Sequence, residues 1–313
     1  MKLKFSNQIP NPEIDRLLAG YKNSAERLTD EASKKISDKT RITKTQIKRY
    51  IWNKNCDEVN QRKVTKFGEA MWRAIFYLSF TVLGYITLCM PEYAIWLSNT
   101  RDHWNHWPDH PISYMMNLYY QIELGCYLHQ LHWTEVTRSD AIEMLLHHCI
   151  TIVLIVASYL TNFTRIGTSI LLTHDFADVF LEIGKCFNYT SKTPEFKNWA
   201  SKITDGFFAC FALSFFYTRL VLFPRYMVYS LVYEAPDIMG MWSGYYLFAS
   251  MLLGLQCLHI FWFYLIARMI YRLTIVGEIE KDVRSDDEDG EDSSLEEDSL
   301  PVAAAAEGDK KEN

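Results

Sequence analysis

The chain of 313 residues has a formal net charge of −6 and a mean hydropathy of −0.10, values that would suit a soluble protein. Both average opposites: residues 1–66 and 278–313 are strongly polar, one basic and one acidic, around a middle rich in Leu, Phe, Tyr and Ile. The seven cysteines (Cys56, Cys89, Cys126, Cys149, Cys186, Cys210 and Cys257) show no C-x-x-C spacing, which argues against a zinc ribbon or a disulfide framework and leaves small apolar packing as their reading.

In chain order, residues 1–12 hold no apolar core of the kind a signal peptide needs, so no cleavable leader is expected. Residues 1–66 form a basic segment, with Lys34, Lys35, Lys39, Arg41, Lys44, Lys48, Arg49, Arg62, Lys63 and Lys66. Six apolar stretches follow, at 72–90, 113–133, 145–163, 166–187, 205–223 and 245–271. Each has the ~17–25 residues that a helix needs to cross a bilayer. The second and fourth carry polar groups and score poorly on hydropathy alone. Lipid cannot satisfy backbone groups, so helices are the expected form. Lysine and arginine crowd the N-terminal segment, the loop after the fourth stretch (Lys192, Lys197, Lys202) and the C-terminal flank (Arg268, Arg272, Lys281, Arg284). The opposite loops hold Arg101, Arg165 and Arg225, one each, so both termini are expected on the cytosolic side.

Ionisable groups inside a span are costly and mark function. The third stretch holds His147 and His148; the fourth holds His174, Asp175, Asp178 and Glu182. Spacings of three and four put the three acidic residues on one helix face, which must look inward. Counted at ~1.5 Å per residue, His147 and Asp178 lie at overlapping depths, roughly 8 and 10–14 Å from the cytosolic end. A His–Asp pairing across adjacent antiparallel helices is therefore expected, with catalysis or ligand binding favoured over a purely structural role.

The run Arg138-Ser139-Asp140, His147-His148, Ser158-Tyr159, Asn162, Arg165-Ile166-Gly167-Thr168, His174-Asp175, Asp178, Leu181-Glu182, Lys185 and Asn188-Tyr189 resembles the signature motif of ceramide synthases. Met71-Trp72-Arg73 with Phe76-Tyr77, Trp104, Pro108 to Pro111, and Gly277 to Glu288 with Asp282-Val283-Arg284-Ser285-Asp286 extend the resemblance over residues 24–290. It is the animal form that is resembled. That form usually has a further span before its basic segment, and no apolar run of that length precedes Lys66, which leaves open a short form or a missing N-terminal part. Residues 24–66 resemble the family's partial homeodomain-like segment, with 43–55 as its last helix. A first helix is not recognisable, and Cys56, Asp57 and Glu58 interrupt the basic run, so a basic collar beside an anionic leaflet is expected rather than specific DNA binding.

The resemblance implies an all-α membrane protein of three parts: a cytosolic segment 1–66, a six-span TLC-type catalytic barrel 67–275 and a disordered acidic cytosolic tail 276–313. It implies transfer of a fatty acyl group from acyl-CoA to the amine of a sphingoid base in the endoplasmic reticulum membrane, with no cofactor or metal and with homo- or hetero-dimers as an option. His147 and His148 are the candidate base or nucleophile, oriented by Asp175 or Asp178. Either the histidine deprotonates the amine for direct attack, or His147 forms an acyl-imidazole that the amine resolves; the second is preferred, because a narrow site is poorly suited to two long chains at once. Arg73, Ser158, Asn162, Arg165, His174, Glu182 and Lys185 are supporting residues. Leu231, Tyr233, Glu234, Asp237 and Met241 belong to a loop that the resemblance links to acyl chain length. Ser285, Ser293 and Ser294 each precede an acidic residue by three and are phosphorylation candidates, against a merely solubilising tail. The sequons at Asn162 and Asn188 are expected to stay unmodified, one too close to the membrane and one cytosolic. The alternatives are a non-enzymatic lipid sensor or translocation partner of the same superfamily, and a di-iron hydroxylase, which the lack of repeated H-x-x-H-H boxes among the nine histidines disfavours.

Overall fold

The computed structural model describes residues 11–21, 24–89, 99–132, 140–193 and 196–275, and among these every regular element is helical. Two compact units divide after Gly68, one built on the residues up to that point and one on residues 69–285.

In the first unit, α1 (Pro12–Leu18), α2 (Ser24–Leu28), α3 (Asp30–Thr40) and the start of α4 (Lys44–Cys89) make a small helical cluster. Asn11 caps α1, its side-chain oxygen accepting from the backbone N–H of Glu13 and Ile14, with Pro12 pre-set for the first turn. Ile14 and Leu18, four apart, bury against Ile36, Ile47, Tyr50 and Ile51. The sequence did not reveal α1. Nor does a helix end near residue 55: α4 continues unbroken to Cys89, because the intervening Lys, Arg, Gln and Glu are good helix formers and only Gly68 interrupts them.

In the second unit the remainder of α4, then α5 (Tyr114–His132), α6 (Ala141–Leu160), α7 (Thr164–Ser191), α8 (Lys197–Phe215) and α10 (Tyr245–Ile275) fall on the six apolar stretches. Among the described residues four helices, Lys44–Cys89, Ala141–Leu160, Lys197–Met239 and Tyr245–Arg272, are long and apolar enough to cross a membrane. Their outward faces carry large apolar side chains, among them Trp72, Leu78, Val153, Leu213, Leu253 and Tyr264. Cys126 and Cys186 pack inside as expected, whereas Cys89, Cys149, Cys210 and Cys257 lie on outward faces.

The fifth stretch does not stop at residue 223. Beyond α8 the chain runs on in wider π turns (Phe216–Val228, then Ser230–Glu234) and closes with α9 (Ala235–Met239). Pro224 lies inside this segment; it has no N–H to donate, and the wider register accommodates it without ending the helix. Leu231, Tyr233, Glu234 and Asp237, expected in a loop, therefore stand on helix, and only the turn that contains Met241 separates it from α10. One core gathers Trp104, Phe163, Phe223, Met227, Leu255 and Ile266; a second gathers Phe80, Met116, Tyr119, Tyr120 and Leu171.

Candidate active site

The polar stripe of α7 fans out to three neighbouring elements. Tyr119 Oη on α5 donates to Asp175 Oδ2 at 3.0 Å, and Asp175 is fully buried. The guanidinium of Arg219, in the π segment, donates to Asp178 Oδ2 at 3.1 Å and to the carbonyl oxygen of His174 at 2.8 Å. Arg73 Nε on α4 and Lys185 Nζ donate to the two oxygens of Glu182 at 3.0 and 2.7 Å. A carboxylate withdrawn from water has to find a cation or a donor, and each of these three has one. Glu123 of α5 lies beside Asp175 and Tyr119, buried, with Oε1 making no hydrogen bond.

The histidines gather on the same side of α7. His147 and His148 are buried on α6. The His147 ring stacks on His174 with centroids 6.3 Å apart and planes at 19°, and meets Trp262 of α10 edge-on at 5.2 Å. Trp262 Nε1 donates to Asp140 Oδ2 at 3.3 Å, so the residue immediately before α6 also positions the indole packed on His147. His148 packs edge-on against Tyr127 at 5.9 Å. Nδ1 of His174 lies 2.7 Å from the Ile170 carbonyl oxygen, and its Nε2 lies 3.0 Å from Nε2 of His259. The expected pairing of His147 with Asp175 or Asp178 is thus replaced. The carboxylates turn to Tyr119 and Arg219, and the partner of His147 on α7 is His174. Depth counted along the helices could not say that Arg219, a permanent charge, takes Asp178 in place of an imidazole.

Beyond the histidines is a narrow apolar cavity of about 50 Å³, lined by Tyr127, Thr151, Ser158, Ile170, His174 and Leu252 among others. Thr151 stands one turn along α6 from His147. Ser158 Oγ and Tyr120 Oη are 3.2 Å apart at its wall. Gly167 makes this contact possible, since a Cβ there would fall 1.7 Å from Tyr120 Oη. Asn162 and Arg165 serve elsewhere. Asn162 Nδ2 donates to the carbonyls of Pro108 and His110 at 2.7 and 2.9 Å, and Arg165 donates to the Asp102 carbonyl at 2.9 Å. Together they clamp the segment between α4 and α5 over the junction of α6 and α7. His103 and His110 in that segment are buried beside Arg165, and burial, helped by the guanidinium, pushes both down to about 4.

Arg219, His259, Glu123, Tyr119 and Trp262 escaped the sequence reading. The rule that singled out His174 and Asp178 applies equally to Arg219, Glu123 and His259, each an ionisable residue inside a long apolar run. They stand singly on three elements and form a cluster only once folded. Among the described residues no group of three or more His, Cys, Asp and Glu is arranged to hold a metal ion. Arg138, Ser139, Ser285, Ser293 and Ser294 lie outside the described residues.

The family model described as the TLC domain matches residues 66–268, a span that contains the whole cluster. The chain is 39% identical to ceramide synthase 4 of Homo sapiens over 230 residues, covering 73% of this chain and 56% of the human one. It is 34% identical to ceramide synthase 4 of Mus musculus over 287 residues, 91% of this chain and 69% of the other. Ceramide synthase LOH2 of Arabidopsis thaliana is 35% identical over 246 residues, 75% of this chain and 79% of the plant protein. The chain spans a little over half the length of the human and bovine relatives, 56% and 55%.

Proposed function

The chain belongs to the TLC-domain family and, within it, to the ceramide synthases, and from that premise we propose that it transfers a fatty acyl group from acyl-CoA to the amine of a sphingoid base. One observation carries the chemistry: His147, buried and stacked on His174 at the polar end of an apolar cavity, has an Nδ1 that makes no hydrogen bond. An imidazole without an orienting carboxylate is poorly placed as a triad base and well placed as a nucleophile.

In this reading a nitrogen of His147 attacks the thioester carbonyl, the C–S bond breaks, and CoA leaves as a thiolate that takes the N–H proton given up by the acylated imidazole. The sphingoid amine, mostly protonated in water, loses its first proton to solvent before it attacks. The free amine then attacks the acyl-imidazole; the C–N amide bond forms, the bond from the acyl carbon to the imidazole breaks, and the second amine proton passes to the departing imidazole, which restores neutral His147. Asp178 positions Arg219, which in turn holds the His174 carbonyl, and Asp175 fixes Tyr119. The protein is a multi-pass membrane protein; α4, α5, α6, α7, the α8–α9 segment and α10 are read as six spans of a barrel around the cavity, with both termini cytosolic in the endoplasmic reticulum membrane. Pairing with a second ceramide synthase chain belongs to the same reading.

Purified protein mixed with acyl-CoA alone and quenched tests it. The expected result is one acyl group on the peptide containing His147, discharged as N-acylsphinganine when sphinganine is added. No adduct, together with intersecting lines in initial-rate plots, would overturn the covalent route. An adduct that sphinganine fails to discharge would overturn the acceptor.

A further inference from the structure

The cavity has two unlike ends. His174 lies at one, with His147 stacked on it. From there the α7 side of the lining runs back to Ile166, roughly 12 Å at the helical rise. At the far end stands Trp104, which lies between α4 and α5 and is 1% exposed.

This end is fixed in place. Trp104 Nε1 donates to Ser230 Oγ at 2.8 Å, and Ser230 Oγ donates to the Thr100 carbonyl at 3.3 Å, which ties both ends of the short turn Thr100–His103 to the π segment. Phe163 meets Trp104 edge-on at 5.4 Å and is itself packed by Phe248 and Trp242 at 5.3 and 5.5 Å. The indole N–H is satisfied outside the cavity, so the face presented to its interior is apolar.

We propose that Trp104 is a specificity-determining residue that closes the far end of the acyl cavity and limits the length of chain admitted. The inference rests on the acyl-transfer reading. A chain whose carbonyl must reach His147 extends its methyl end toward Trp104. A wall held by a hydrogen bond and by Phe163, itself packed between Trp242 and Phe248, resists displacement, so an additional methylene meets it as a clash. In an apolar pocket one methylene changes selectivity by roughly 10–200-fold.

The test is a ladder of saturated acyl-CoAs with sphinganine, on membranes carrying wild type, Trp104→Phe, Trp104→Leu or Trp104→Ala at matched abundance. The expected result is a graded shift: the longest accepted chain lengthens from wild type through Phe and Leu to Ala. For a chain just beyond the wild-type limit, the rate relative to the wild-type optimum rises at least about tenfold. The Leu variant, which keeps much of the packing, carries the test if the Ala variant does not accumulate. Active Phe and Leu variants with the wild-type profile would overturn the inference and leave acyl transfer standing. Wild type without product on any acyl-CoA would overturn acyl transfer, and this inference with it.

Discussion

Nε2 of His259 meets Nε2 of His174 at 3.0 Å, and the carbonyl on the other side of His174 fixes the tautomers of both rings. His174 Nδ1 lies 2.7 Å from the Ile170 carbonyl oxygen, which can only accept, so Nδ1 carries hydrogen. For neutral rings His174 Nε2 is then the acceptor and His259 Nε2–H the donor, leaving a bare Nδ1 on His259, the atom that has no hydrogen-bond partner. His174 is thereby occupied at both nitrogens, whereas Nδ1 of His147 makes no hydrogen bond.

Replacing His259 with Leu strands a buried acceptor on His174, at a cost of about 1–3 kcal/mol. His259→Gln, whose amide N–H₂ can still donate, is expected to recover most of that loss. Thermal unfolding of the two variants in one detergent measures the difference; equal melting points would mean that the contact contributes nothing.

Arg219 neutralises Asp178 and holds the His174 carbonyl with the same guanidinium group. Arg219→Ala leaves that carboxylate without its cation, and Asp178 is only 28% exposed. The expected destabilisation is toward the lower end of ~3–5 kcal/mol. Arg219→Ala combined with Asp178→Ala is expected to lose less than Arg219→Ala alone, as unfolding midpoints of the two would show.

Gly167 is required by contact, not by conformation. Gly167→Ala drives a methyl into Tyr120 Oη and should cost at least about 1–3 kcal/mol. Adding Tyr120→Phe removes the clashing oxygen and should return part of the loss. A double variant no more stable than Gly167→Ala would show that the crowding lies elsewhere.

Stability should fall with acid through His103. Its folded value of about 4 is below the ordinary 6.5, burial being the main cause and Arg165 the second. Between those values the unfolded chain binds more protons than the native one, so stability is complete above about 6.5 and is lost as pH drops toward 4. The loss is about 3 kcal/mol. His103→Phe, which cannot take a proton, should flatten the melting-point profile across that window. An unchanged slope would assign the acid sensitivity to other groups.

Much of the helical layout is readable before folding, because bilayer thickness imposes a length on apolar runs and the six runs coincide with long helices. Two features resist. Pro224 looks like the end of a span, and only the wide π register lets the helix pass it and carry Leu231 to the cavity wall. α1 has seven residues, too few for a periodic signal, and is defined by its Asn11 cap and its contacts. At the site, the local spacing of His147, His148, His174, Asp175 and Asp178 exposes the cluster. Its pairing depends on Arg219 and His259, which are 45 and 85 positions from His174, and no local pattern links them.

The proposed activity is ceramide formation through His147. Membranes from cells without their own ceramide synthases, given labelled sphinganine and a range of acyl-CoAs, test it with wild type beside an equally abundant His147→Ala variant. The predicted result is labelled ceramide from wild type and none from the variant. Ceramide from both would contradict the assignment of His147, and none from wild type with any acyl-CoA would contradict the activity itself.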